Sequence, residues 1–219
     1  MSALQKTPLW FQKYLLQLQE HPLRTKALTA GALTGTQEGL AQILAQLILA
    51  RHQAKATQSP RTKVSLVKIL STLDGIRILK MALYGLLISG PLGHALYAAL
   101  GRIIGGRKGP GWALLALFLS NTIISPIQNA VFLSAMAIIA GKRTAGQVWE
   151  SVQAGWLGMQ KTSWVLFPLV QLSAIRYFPL DLWTPYFNLV AFFFGTYFNA
   201  QAKIRVVKAA KAGKLKEKE

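Results

Sequence analysis

The run Leu83–Leu100, LYGLLISGPLGHALYAAL, constrains this chain more than any other stretch. It is apolar enough to cross a bilayer, yet Pro91 and His94 stand in its middle. In hydrocarbon a proline leaves a backbone carbonyl without its in-helix donor, and an imidazole needs a hydrogen-bond partner. Both demands must be met by neighbouring helices or by water, so the run predicts a helix packed inside a larger membrane assembly.

The remaining composition agrees. Of 219 residues, 52% are hydrophobic and 15% charged, the mean hydropathy is +0.33, and the charges cluster at the edges of long apolar tracts. At about 20 residues per spanning helix, the length accommodates four spans and their connections. The expected fold is therefore an all-α integral membrane protein in one domain over residues 1–219, a bundle of four transmembrane helices with short amphipathic interfacial helices. The spans are placed at about 27–50, 81–100, 112–140 and 182–200. A partly embedded segment is placed at about 164–178, interrupted by Pro168 and Arg176.

The first tract has unequal faces. Ala27, Gly31, Gly35 and Gly39 recur every four residues, and Thr34, Glu38, Gln42 and Gln46 form a neighbouring row. At 100° per residue both rows share one broad face, opposite Leu33, Leu40, Leu44 and Leu47, which are expected to face lipid. The glycines permit close helix packing, within the chain or between subunits. Glu38 is costly at this depth unless paired or wetted; its glutamines form either an internal network or the wall of an aqueous path.

Residues 51–80 read as a basic, interfacial lead-in whose cations reach headgroups. In the third tract Asn121, Thr122, Ser125 and Gln128 occupy one sector of the helical wheel, and Pro126, like Pro91 and Pro168, predicts a kink. Residues 141–161 read as a polar connector in which Trp149 and Trp156 suit an interface.

The formal charge of +18 flanks apolar tracts, where anionic lipid explains it better than nucleic acid does. There is no cysteine, and three histidines and seven acids supply a catalytic site poorly. No enzyme activity, cofactor or metal site is expected. For four spans, 14 lysines and arginines fall on the side of both termini and 11 on the other. That weak bias places both termini in the cytosol.

Taken together, these positions resemble the family of the 22 kDa peroxisomal membrane protein, which has a related mitochondrial inner-membrane branch of Mpv type. The resemblance rests on Tyr14, Pro22, Thr25, Lys26, Thr29, Gly31, Gly35, Glu38 and Gln42, then Gly90, Pro91, His94 and Tyr97, then Trp164, Pro168, Gln171 and Pro179. It departs from the family at Ser120 and Asn121, where an acid and a glutamine are usual, and this leaves Glu38 as the one acid placed deep in the membrane. The string QEHPLRTKALTAG is similar to the peroxisomal branch rather than the mitochondrial one.

The resemblance implies a homo-oligomeric channel for small water-soluble metabolites in the peroxisomal membrane. A mitochondrial inner-membrane channel is the alternative location. The polar faces nominate Glu38, Gln42, His94, Asn121, Ser125 and Gln128 as pore lining or as a buried polar network. In the second case the protein is a non-conducting scaffold or sorting factor. Lys13, Arg24 and Lys26 in the N-terminal basic and apolar segment resemble a site for the peroxisomal membrane-protein import receptor.

Overall fold

The computed structural model describes residues 8–56, 71–107, 109–177 and 183–216. Every regular element among them is helical. A short helix α1, Leu9–Glu20, precedes α2, Pro22–Ala56. Helix α3 runs Gly75–Ile104, and α4 occupies residues 110–139. Helix α5 is Ala145–Tyr177 and α6 is Trp183–Lys216. By length and composition, Gly75–Ile104 and Leu114–Ile139 are each able to cross a membrane.

Five long helices stand among the described residues, where four spans, a lead-in, a connector and a partly embedded segment were expected. The connector at 141–161 and the segment at 164–177 join into the single 33-residue α5, with Pro168 inside it; Phe178 lies outside the described residues. The sequence expectation broke the chain there because hydropathy falls before Lys161. Hydropathy reports which solvent a segment prefers, whereas helix formation needs only an unbroken ladder of backbone bonds, and residues 145–161 contain no proline to break it. The lead-in before residue 81 is also revised. Asp74 caps α3, its carboxylate accepting the Arg77 N–H at 2.9 Å, so Gly75 already belongs to the second long helix. Residues 57–70 of that lead-in lie outside the described residues.

Helix α2 is the centre of the packing. Its small-residue row lies against α3. A Cβ on Gly31 would stand 3.0 Å from the Ala82 carbonyl oxygen, and one on Gly35 3.0 Å from the Ala82 Cβ. From the other side, a Cβ on Gly90 would come within 2.6 Å of the Ala27 Cα. The close approach that the glycines permit is therefore made within the chain. On another side, Ala41 and Ala45 are buried against Ala200 and Ile204 of α6, with Leu44 packed beside them. Leu44 was expected to face lipid; only Leu40 of that leucine face is strongly exposed. Two short alanines leave room for α6 to come close, which draws the adjacent Leu44 inward.

Successive long helices reverse direction. Gln37 bonds the Ala191 and Phe192 carbonyls while Ala41 and Ala45 meet Ala200 and Ile204, so α2 and α6 run parallel. The start of α2 and the end of α6 consequently lie at opposite ends of the bundle. Four passes would have put both on one side.

Pro91 and Pro126 share one local device. Each follows a single π-turn, Gly85–Ser89 and Ser120–Ile124 respectively, by two residues. The Gly90 N–H bonds Gly85 O, and the Ser125 N–H bonds Ser120 O. The skipped carbonyls, Leu86 O and Asn121 O, have lost their α-register donor, and their π-register donor would be the proline nitrogen, which carries no hydrogen. The expected kinks at these two prolines thus take the form of widened turns that each expose a carbonyl. Pro168 has no such turn.

Candidate functional site

Glu38 is fully buried, and four side chains converge on it. Arg77 Nε donates to Oε1 at 2.8 Å and Gln42 Nε2 to the same oxygen at 2.9 Å. Lys203 Nζ donates to Oε2 at 2.9 Å and Asn199 Nδ2 at 2.7 Å. Lys203 also donates to Asn199 Oδ1 at 2.7 Å. Gln42 extends the cluster, its Oε1 accepting the Asp74 N–H at 2.8 Å. One carboxylate therefore ties α2 to α3 and α6, and all its lone pairs face donors. A buried carboxylate is tolerable only when so paired.

A second network joins α4 to α5 and has no formal charge. The Asn121 carbonyl freed by the π-turn accepts the Trp164 indole N–H at 2.9 Å and Gln160 Nε2 at 3.4 Å. Fully buried Gln160 accepts Asn129 Nδ2 at 2.9 Å, and Asn129 also donates to Ser163 Oγ at 3.2 Å. Ser125 Oγ lies 3.5 Å from Gln160 Nε2. Trp156, expected at an interface, donates instead to Pro126 O at 3.1 Å.

Between these networks lies a cavity of about 290 Å³ that all five long helices border. Thr34, Gln37, Ser89, Gln128, Asn129, Thr162 and Ser163 give it polar patches among Tyr84, Phe132, Phe167 and Phe198. Most of these polar groups are already committed: the single Thr34 hydroxyl hydrogen is taken up between Ala30 O of α2 and Met81 O of α3, each 2.8 Å away, and Gln37 donates to α6. The Gln128 side chain has no hydrogen bond among the described residues.

The six nominated lining residues are therefore dispersed. Gln128 borders the cavity, Glu38 and Gln42 belong to the charged cluster, and Asn121 and Ser125 belong to the neutral network. His94 joins none of them. Its Nδ1 is buried without a hydrogen-bond partner among the described residues, so the partner that an imidazole in this run requires is not supplied at that atom. Arg77, Lys203, Asn199 and Gln160 were missed. In the sequence Arg77 reads as one of the headgroup cations of residues 51–80 and Lys203 as one of the bases flanking an apolar tract; the signal available was the need of Glu38 for a counter-charge. Lys13 and Arg24 are exposed, Lys26 is half-buried, and α1 is held to α2 by Thr25 Oγ1 donating to Gln17 O at 2.8 Å. Among the described residues no group of three or more His, Asp or Glu could hold a metal ion.

Comparison with known proteins adds identity to this geometry. Residues 137–199 match the model of the Mpv17 / PMP22 family. The chain is 41% identical over 196 residues to a Woronin body membrane protein of Aspergillus fumigatus, covering 90% of this chain and 78% of that one. It is 43% identical to the Woronin sorting complex protein of Neurospora crassa, over 85% of this chain but only 54% of the longer relative. Over 92% of its length it is 29% identical to the peroxisomal membrane protein PMP22 of Arabidopsis thaliana, covering 94% of that protein. No solved structure matches. Identity of this extent across nearly the whole chain means that the protein belongs to the Mpv17/PMP22 family of membrane proteins.

Proposed function

We propose that this protein is a non-conducting scaffold or sorting component of the membrane of a peroxisome-type organelle. The observation that carries the reading is the self-sufficiency of the two polar networks. Glu38 is sealed by Arg77, Lys203, Gln42 and Asn199, and Asn121 and Asn129 are answered by Gln160, Trp164 and Ser163. A wet conduit would leave such groups facing water. Two relatives above 40% identity, a Woronin body membrane protein and a Woronin sorting complex protein, support the same direction.

Purified protein in planar bilayers is the test. Folded protein is expected to be silent. Stepwise conductance that Gln128→Leu abolishes would overturn the reading in favour of a metabolite channel. That second reading is favoured by one feature, the cavity at which five helices meet and which Gln128 borders.

For the arrangement in the membrane we infer five alternating passes, one for each of the long helices that reverse direction in turn. Of the 25 lysines and arginines, 17 then fall on the side that holds residues 51–80, 142–161 and 203–219, and 8 on the other. This bias is far stronger than the 14 to 11 of four passes, and it directs the C-terminal end of α6 to the cytosol. The protein works as a homo-oligomer, and its N-terminal segment with Lys13, Arg24 and Lys26 engages the import receptor for peroxisomal membrane proteins. A tagged copy is expected on peroxisomes; a mitochondrial signal lost on removing residues 1–25 would reassign the organelle.

A further inference from the structure

A second and larger hollow, about 520 Å³, opens where α4 passes into α5, at the cytosolic edge in the arrangement proposed above. Its long wall is Ala130, Ser134 and Ile138, one residue per turn of α4, facing Val148 and Val152 of α5. Ser134 spends its hydroxyl on Ala130 O at 2.9 Å, so this wall presents carbon. From residue 130 to residue 138 the groove runs about 12 Å along the helix axis. It starts within the apolar span Leu114–Ile139 and ends at its rim.

At the rim the chemistry changes. Gly141, at φ 99°, closes α4 by sending the Lys142 N–H back to Ala137 O at 3.1 Å while its own N–H bonds Ile138 O at 3.0 Å. This glycine-dependent stop fixes Lys142 and Arg143 over the mouth of the groove. Trp149 flanks them, 60% exposed. The Lys142 ammonium reaches only the Gln147 carbonyl, at 3.4 Å, and the Arg143 guanidinium has no ion pair or hydrogen bond among the described residues. Glu150 is exposed but does not border the hollow.

We infer that this hollow is a binding site for one anionic glycerophospholipid, its phosphate held by Lys142 and Arg143 and an acyl chain laid along Ala130, Ser134, Ile138, Val148 and Val152. Two bases without an acid, above a carbon-lined groove that descends from the edge of an apolar span, match the charge and shape of such a lipid and no soluble anion. The inference uses the proposed membrane placement but not the choice between scaffold and channel.

The test is native mass spectrometry of the full chain in detergent, titrated with dioleoyl-phosphatidylinositol or dioleoyl-phosphatidylcholine. The wild type is expected to retain one phosphatidylinositol in preference to phosphatidylcholine. Lys142→Gln with Arg143→Gln should cut that preference roughly 30-fold, about one surface charge interaction for each base. Arg102→Gln with Arg107→Gln, at the other end of the bundle, should leave it unchanged. Ala130→Leu, which fills the groove, should lower retention of both lipids. Equal retention of the two lipids by the wild type overturns the inference, and that measurement needs no variant to fold. An undiminished preference in the double variant overturns it too. Binding of glycerophosphoinositol as tight as that of the whole lipid would make the occupant a soluble phosphate. Bilayer conductance, whichever way it falls, leaves these outcomes separate from the functional reading.

Discussion

The α2–α3–α6 contact and the α4–α5 contact solve the same problem, polar groups inside an apolar bundle, in opposite ways. The first uses one carboxylate and two cations, and the second uses amides, hydroxyls and indoles around a carbonyl released by a π-turn. Charges need either water or each other, and Arg77 and Lys203 keep 24% and 18% of their side chains exposed while Glu38 keeps none. Their stems bring the cations inward, Arg77 from the start of α3 and Lys203 from the second half of α6, as long basic side chains do at a membrane edge. The neutral network needs no such access. Resting on one carboxylate makes the charged contact strong but brittle, whereas the neutral one is weaker but distributed over several groups.

The largest expected effect breaks the first contact at its centre. Glu38→Gln leaves Arg77 and Lys203 facing each other across an amide and is expected to destabilise the fold by about 3–5 kcal/mol, read from the midpoint of unfolding in increasing fractions of dodecyl sulfate. Adding Arg77→Gln and Lys203→Gln should recover part of the loss. A cost under about 1 kcal/mol for Glu38→Gln would mean that the carboxylate is solvated, and the contrast between the two contacts would collapse. Lys203→Gln alone is milder, about 1.5–3 kcal/mol, because Arg77, Gln42 and Asn199 still hold the carboxylate. Since Glu38 is shielded from solvent, salt should change that cost little, and a steep salt dependence would place the pair at the surface instead.

Much of this fold is legible in the sequence. The four-residue glycine row announces a close helix partner, and the polar rows on the first and third tracts announce helices that turn away from lipid. The partners are not legible. Lys203 lies 165 positions from Glu38 and reads as one more base in a basic tail. Arg77 reads as one of several cations punctuating an amphipathic stretch, and only the start of α3 at Asp74 turns it toward Glu38. The fifth long helix was hidden for a different reason: Glu150, Gln153, Gln160 and Lys161 lower the hydropathy of a segment whose backbone ladder is continuous. His94 attracted attention as an anomaly, yet it takes part in neither network.

The neutral contact yields smaller effects. Gln160→Leu removes an acceptor from Asn129 and a donor from the Asn121 carbonyl, and is expected to cost about 1–3 kcal/mol in the same dodecyl sulfate unfolding titration. Two partners survive it, Ser163 for Asn129 and Trp164 for the carbonyl. A loss as large as that of Glu38→Gln would show this network to be as brittle as the charged one.

The smallest effect is the most discriminating. Trp164→Phe keeps an aromatic ring but deletes the indole N–H on Asn121 O, and the hydrogen-bond part of its cost is expected to be about 0.6 kcal/mol, the usual worth of an interhelical hydrogen bond in a membrane. That bond exists because Ser125 donates to Ser120 O and Pro126 has no hydrogen to offer. Pro126→Ala returns an N–H five residues from Asn121 O, the donor that the π-register lacks. In the Pro126→Ala background that hydrogen-bond part should vanish, giving a coupling between the two positions of nearly the whole 0.6 kcal/mol. If the two costs simply add, the indole is not answering the carbonyl that the proline released, and the neutral contact is held by packing alone.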